Sequence, residues 1–179
     1  MKKEEVMTLG RKLMDEQGLE DFKLEWDNEL EDWSGMENTA EKRIVLCGPF
    51  MLLNDDAEVK DTILHEIAHA LCEKNHHQSF IEHEKDGGHS KEWMEIAASI
   101  GAKPQSFVSI DAKFPPPKYW IICRHCGNRM PRWSEIDTEF KHELLFGGFR
   151  CRKCGGRKID IRENIDNELA TNRDRGINN

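Results

Sequence analysis

The 179-residue chain contains no long hydrophobic run, which excludes a membrane-spanning helix. Its start also lacks the apolar core of a secretion signal, because the charged residues Glu4 and Glu5 directly follow Lys2 and Lys3. Charged side chains make up 34% of the residues, and the formal net charge is -8. These features indicate a soluble protein of the cell interior, and we expect a cytoplasmic location without membrane association.

The net charge is distributed unevenly along the chain. Residues 1–117 carry 13 Lys and Arg against 25 Asp and Glu, whereas residues 118–158 carry 10 against 4. Pro115-Pro116-Pro117 stands between them, and consecutive prolines favour a stiff, extended spacer. The tail is polar and without aromatic residues, which is typical of disorder. We therefore predict four segments: an acidic domain (1–114), a proline linker (115–118), a basic module (119–160) and a disordered tail (161–179).

The stretch Asp61–Cys72 combines a helical apolar pattern with three ionisable side chains. The imidazoles of His65 and His69, four residues apart, project from one helix face and can direct their nitrogens at one cation, with Glu66 beside the same point. Ordinary core histidines are the alternative, but burying these groups without partners is costly. The pattern H-E-x-x-H therefore predicts a zinc site of the hydrolase type.

A catalytic zinc needs a further protein ligand and leaves its fourth position to water. Several donors follow the helix: His76, His77, Glu82, His83, Glu84, His89, Glu92 and Glu95. The metzincin spacing requires a histidine at position 75, where this chain has Asn75. We favour His89, because Gly87 and Gly88 let the backbone turn sharply and bring the next helix against the first one.

Four of the six cysteines form two Cys-x-x-Cys pairs: Cys123, Cys126, Cys151 and Cys154. In an intracellular protein this spacing predicts a metal site before disulfides. Four thiolates hold zinc in a closed, structural site, and so small a module has too little core to fold well without it. Cys47 and Cys72 each follow an apolar run, and we expect both to be small buried hydrophobic residues.

Basic side chains surround these cysteines: Arg124, Arg132, Arg150, Arg152, Lys153 and Arg157. Trp120, Trp133 and Phe149 are interleaved with them. Cations for phosphates and rings for exposed bases are typical of proteins that hold single-stranded nucleic acid. A solvated surface over core aromatics is the alternative. We expect the basic module to contact nucleic acid through these side chains.

Periodicity predicts a mixture of helices and strands, and hence an α+β class. Apolar residues alternate with charged ones over residues 22–26, as in a strand with one buried face. Residues 33–47 predict a hairpin whose second strand, RIVLC, is the more central. Helical spacing is found over residues 3–17, 56–74 and 90–100.

Together, several of these motifs resemble the SprT-like family, which includes the Spartan proteases. They are the helix DTILHEIAHAL, the preceding strand RIVLC, Gly88-His89 followed by Glu92-Trp93, and the four-cysteine ribbon. The resemblance covers roughly residues 22–158. Family members commonly show Gly-Pro after the third histidine, where this chain has Ser90-Lys91.

The resemblance implies a zincin-like α+β domain, with helices and a small antiparallel sheet, followed by a zinc ribbon. It implies zinc ligands at His65, His69 and His89, and Glu66 as the catalytic acid/base. It also implies that the substrate is a protein associated with or crosslinked to DNA, and it favours DNA as the nucleic acid that the ribbon contacts. The interleaved rings and cations of the ribbon make single-stranded DNA the expected form.

Two functions of different classes therefore follow. The first is a zinc metallopeptidase with one catalytic and one structural Zn²⁺, whose basic ribbon aids DNA binding. The second is a non-enzymatic zinc-ribbon adaptor that binds nucleic acid and retains an inactive zincin scaffold. The intact trio of His65, Glu66 and His69 favours the enzyme, because a scaffold gains nothing from keeping a carboxylate beside the ligands.

Overall fold

The structure of the protein is a computed structural model that describes residues 1–30, 33–75, 88–151, 153–171 and 174. The chain divides into two compact units, Met1–Val108 and Ser109–Asn179. Within the described ranges, no helix combines the length and apolar character needed to cross a membrane. The first unit contains α1 (Lys3–Glu16), β1 (Lys23–Asp27), β2 (Gly35–Asn38), β3 (Arg43–Cys47), α2 (Gly48–Leu53), α3 (Asp56–Asn75) and α4 (Lys91–Ile100).

The sheet of the first unit has the strand order β1-β3-β2 and is mixed. β1 runs parallel to β3, whereas β2 and β3 form the predicted antiparallel hairpin. The apolar strand RIVLC is central, and its residues Ile44 and Leu46 are fully buried. The expectation of an antiparallel sheet is wrong for β1, because β3 inserts between β1 and β2 instead of adding to an outer edge.

Helix α1 packs against β1 and α3 at a glycine. A Cβ atom at Gly10 would lie 2.7 Å from Leu24 Cδ2, so the missing side chain lets the helix approach the sheet. The helix ends just before Gly18, whose φ of 71° lies in the left-handed region. The helix therefore ends where the helical spacing of residues 3–17 ends, and Gly18 supplies the left-handed turn that follows.

Helix α2 follows β3 directly and was not predicted from the sequence. The thiol of Cys47 caps it: Sγ accepts a hydrogen bond from the Phe50 backbone N–H at 3.4 Å and donates one to the Leu30 carbonyl at 2.6 Å. Phe50 and Met51 are fully buried. Cys47 and Cys72 are both buried, which confirms the prediction for the two cysteines outside the pairs.

Helix α3 crosses the core of the first unit and packs against α4. Its start is capped by Asp55, whose Oδ1 accepts a hydrogen bond from the Glu58 backbone N–H at 2.9 Å. Helix α4 begins after Ser90, whose Oγ accepts a hydrogen bond from the Trp93 N–H at 3.2 Å, and ends at Gly101 in the left-handed conformation. The pair of helices brings residues that are distant in sequence to one site.

The described residues of the second unit form short antiparallel strands and one helix: β4 (Lys113–Phe114), β5 (Tyr119–Cys123), β6 (Arg129–Arg132), α5 (Thr138–Phe146), β7 (Ile159–Glu163) and β8 (Ala170–Thr171). One sheet has the order β6-β5-β7, and β4 pairs with β8. Ile121, Leu144 and Ile159 form its small apolar core.

Two expectations about the second unit need correction. Residues 161–171 were predicted to be disordered, but they contribute most of β7 and all of β8, whose Ala170 is fully buried. The three prolines are not a free spacer, because Pro115 and Pro117 are buried within this unit. The Pro115 carbonyl accepts a hydrogen bond from Trp133 Nε1 at 3.0 Å, and the Pro117 carbonyl accepts one from Asn164 Nδ2 at 2.9 Å.

Candidate metal centres

The structure brings the three predicted histidines together. His65 and His69 lie one turn apart on α3, and His89 lies just before α4. The three Nε2 atoms form a nearly equilateral triangle, with edges of 3.2 Å between His65 and His69, 3.2 Å between His69 and His89, and 3.1 Å between His89 and His65. Three imidazole nitrogens therefore converge on one point.

This triangle fits a zinc ion. Zinc binds imidazole nitrogen at about 2.0–2.1 Å in tetrahedral geometry, which separates neighbouring ligand atoms by roughly 3.3–3.4 Å. The observed edges are within a few tenths of an ångström of that separation. Three imidazoles leave one tetrahedral position open, as in catalytic zinc sites. The donor set thus has the number, chemistry and spacing that a catalytic zinc requires.

Burial keeps His65 in the protonation state that a metal ligand needs. Loss of solvent, with a smaller repulsion from His89, lowers the pKa of His65 from 6.5 to about 3. At neutral pH the ring is therefore uncharged, and its nitrogen lone pair is available to a cation.

Glu66 follows His65 on α3 and is enclosed on its β2 side. It is only 6% exposed. Burial, with a smaller repulsion from Glu37, raises the pKa of Glu66 from 4.5 to about 8. A Cβ atom at Gly35 of β2 would lie 2.9 Å from Glu66 Oε1, so only glycine leaves room for the carboxyl group. The role of Gly35 was not predicted, because its contact with Glu66 joins elements that are distant in sequence.

Two acidic residues proposed as alternative third ligands do not join the triangle. The described metal-binding group consists of His65, His69 and His89, without Glu92 or Glu95. Glu95 instead pairs with Lys91 on the surface of α4 at 3.6 Å. The other candidates, from His76 to Glu84, lie outside the described residues.

One aromatic residue contacts all three histidines. The indole of Trp93 lies 4.8 Å from the His65 ring, 5.1 Å from His69 and 4.5 Å from His89, measured between ring centroids. Trp93 is fully buried on the apolar face of its helix. Its contact with the three histidines was not predicted, although its four-residue spacing from His89 was a usable signal.

The four paired cysteines form the second centre. Their sulfur atoms all lie within 4.8 Å of one another, with 3.6 Å between Cys123 and Cys154 and 3.7 Å between Cys126 and Cys151. Zn–S bonds of about 2.3 Å in a tetrahedron separate sulfurs by roughly 3.8 Å, so the cluster fits zinc. Backbone N–H groups, chiefly that of Cys126, lower the pKa of Cys123 to about 6 and favour its thiolate.

Both cysteine pairs lie in the same kind of turn. In the first, the Gly127 N–H donates to the Cys123 carbonyl at 2.8 Å, and in the second the Gly155 N–H donates to the Cys151 carbonyl at 2.8 Å. Both glycines have positive φ, 70° and 72°. Each turn therefore presents two sulfurs on one side, and four thiolates close the coordination sphere without a position for water.

The predicted nucleic-acid contacts divide into two groups. Arg124 is paired with Asp160, and Arg132 lies over the Phe140 ring at 4.2 Å. Three further side chains are exposed and make no ion pair within the described part of the chain: Arg150, Lys153 and Arg157. Arg152 lies outside the described residues. The free positive charge is thus concentrated around the second cysteine turn.

The aromatic part of the nucleic-acid prediction is wrong for two of its three rings. Trp120 and Trp133 are 3% and 5% exposed, so neither ring is available for base stacking. Arg129 covers Trp120 at 3.9 Å, and Trp133 packs on Phe114. Phe149 is half-buried against the apolar core. These rings stabilise the small domain, which is the alternative that the sequence left open.

The chain is thus an α+β protein with two candidate metal centres: a histidine triangle, with the buried Glu66 next to His65 in the sequence, and a four-thiol cluster. A family model for the SprT-like family matches residues 4–113. The chain therefore belongs to the SprT-like family, and membership indicates a metalloprotease-type domain. No curated protein matched the chain.

Proposed function

We propose that the chain is a zinc-dependent peptidase with a zincin-like first unit, and that it acts on proteins associated with or crosslinked to DNA. Two observations carry this proposal: three imidazoles converge on one point, and the residue after His65 on the same helix, Glu66, carries a buried carboxyl group. Burying a carboxyl group costs free energy, and a structural zinc site does not require such a group in addition to its ligands. A hydrolytic site needs a proton acceptor at that position.

His65, His69 and His89 would hold the catalytic zinc. When bound, zinc supplies Lewis acidity, which polarises a peptide carbonyl and acidifies water. Glu66, in the ionised form that the positive charge of a bound zinc would favour, accepts the proton of the attacking water and returns it to the leaving amine. The backbone of Gly35 lies close to the Glu66 carboxyl group and limits its movement on that side. A restricted carboxyl group favours proton transfer in a fixed geometry.

The second unit would attach the peptidase to DNA. The four thiolates would hold a structural zinc that fixes both turns. Arg150, Lys153 and Arg157 offer exposed charge for backbone phosphates. Because the tryptophans are buried, we assign this contact mainly to charge, and base stacking contributes less than the sequence suggested.

A Glu66→Gln variant tests the peptidase. We expect the parent and the variant each to bind two zinc ions per chain, and the variant to lose cleavage of a DNA-bound protein substrate by a factor of at least about 10². Zinc is counted by atomic emission, and cleavage is followed by gel electrophoresis with and without DNA. Cleavage at the parent's rate by a variant with both zinc ions contradicts the role of Glu66. One zinc per parent chain favours the adaptor.

Charge removal in the second cysteine turn tests DNA binding. We expect Lys153→Gln and Arg157→Gln together to weaken binding to a single-stranded oligonucleotide and to reduce the salt dependence of the affinity by about two phosphate contacts. Arg124→Gln is the matched control, because Asp160 already neutralises that arginine. Fluorescence anisotropy at several salt concentrations measures both quantities. Equal losses in the double variant and the control argue against the assigned surface.

A further inference from the structure

We propose that Trp93 is a positioning residue that orients all three zinc-binding imidazoles by ring packing. This inference rests on the proposed zinc site and adds a residue to which neither the family match nor the metal-ligand chemistry assigns a role. Trp93 is the shared neighbour of three side chains that come from two separate parts of the chain.

The contacts of Trp93 fix each imidazole in a different orientation. The indole meets His65 at an interplanar angle of 62°, His89 at 85° and His69 at 32°. The first and second are edge contacts, and the third is a tilted one. Such aromatic pairs have preferred geometries, so a single rigid indole restricts the rotation of three rings at once.

Trp93 is itself held independently of the histidines. It is fully buried in the first turn of α4, and its backbone N–H donates to the capping hydroxyl of Ser90. The same turn delivers His89 and Trp93, four residues apart. Because helix capping and packing define this turn, the fold places the Trp93 indole against the three histidines before a metal binds.

The faces and edges of the indole ring, rather than its N–H group, orient the three imidazoles. Trp93 Nε1 has no hydrogen-bond partner among the residues that the structure describes. An N–H group also cannot accept a hydrogen bond from a histidine N–H, as the usual outer partners of metal-bound histidines do. Phenylalanine at this position would retain most of the ring contact, whereas leucine would lose the flat surface.

Metal affinity and a cobalt spectrum test the proposal. We expect Trp93→Leu to weaken zinc binding at the histidine site by about 10- to 100-fold, the range typical of lost outer-sphere support, and Trp93→Phe to change it by less than about threefold. Co²⁺ in the histidine site of Trp93→Leu should show altered visible bands. Phe22→Leu is the control, because it removes a buried ring of the same unit that is not among the described ring contacts of the histidines.

The outcomes separate the two proposals. If the parent chain binds only the ribbon metal, the proposed peptidase site fails, and the role of Trp93 fails with it. If the parent binds two metals and folded Trp93→Leu keeps the parental affinity and cobalt spectrum, only the role of Trp93 is overturned.

A second measurement does not depend on the folding of Trp93→Leu. Cobalt in the histidine site should quench tryptophan fluorescence in the parent, and Trp93→Phe should lose that quenching while it retains the metal. Equal quenching in both proteins would show that the indole does not adjoin the metal, which also overturns the proposal.

Discussion

The burial of Glu66 predicts an unusual pH dependence of stability in the metal-free protein. A carboxyl group whose pKa is raised from 4.5 to about 8 binds its proton more tightly in the folded state than in the unfolded state. The free energy of unfolding must then fall as the pH rises from about 4.5 through 8. Glu66→Gln removes the titration, so we expect the variant to be more stable than the parent at alkaline pH.

The magnitude follows from the size of the pKa shift. The whole pKa shift changes the free energy of unfolding by about 4–5 kcal/mol. About 2 kcal/mol of that change falls between pH 6.5 and pH 8.5. That upper window is preferable, because the lowered pKa of His65 has the opposite sign and acts only between about 3 and 6.5. Glu37, whose burial raises its pKa to about 7, titrates in both proteins and largely cancels in the comparison.

Urea unfolding followed by circular dichroism at 222 nm measures this difference. The signal reports mainly on the first unit, because four of the five described helices belong to it. Chelator is present throughout, and the exposed Glu95→Gln serves as the control. A parent-to-variant difference that stays constant within about 0.5 kcal/mol from pH 6.5 to 8.5 would refute the argument that burial controls Glu66.

Two further predictions concern glycines. Gly35→Ala should destabilise the first unit by about 1–3 kcal/mol and reduce cleavage, because the added Cβ would meet the Glu66 carboxyl group. Urea unfolding measures the loss of stability, with the exposed Met36→Ala as the control. Equal stabilities of the two variants would contradict the prediction. Gly155→Ala should weaken zinc binding at the four-cysteine site by roughly 5- to 30-fold, since the φ of Gly155 is 72° and an alanine there costs about 1–2 kcal/mol. Competition with a chelator measures the zinc affinity, and an unchanged affinity would contradict the prediction.

Those parts of the two centres that depend on local geometry were predictable from the sequence. His65 and His69 share one helix, so their spacing alone fixes their common face. Each Cys-x-x-Cys pair lies in a turn that ends in a left-handed glycine, and the sequence contains all of its parts. The capping of α3 by Asp55 is equally local.

Features that depend on contacts between distant residues were not predictable in the same way. The parallel pairing of β1 with β3 requires the order of strands, which no local pattern encodes. The enclosure of Glu66 by Gly35 is likewise a contact across elements. Trp120 and Trp133 look the same in sequence whether they face solvent or a core, and the surrounding arginines suggested the wrong alternative.

The pairing of β4 with β8 joins the two ends of the second unit. Phe114 lies opposite Ala170, and both side chains are fully buried. A fragment cut to the four-cysteine region alone, residues 119–160, would lose both of these strands and uncover Trp133. Work on the isolated ribbon should therefore begin no later than Ser109 and extend past Thr171, since a shorter piece exposes apolar surface and invites aggregation.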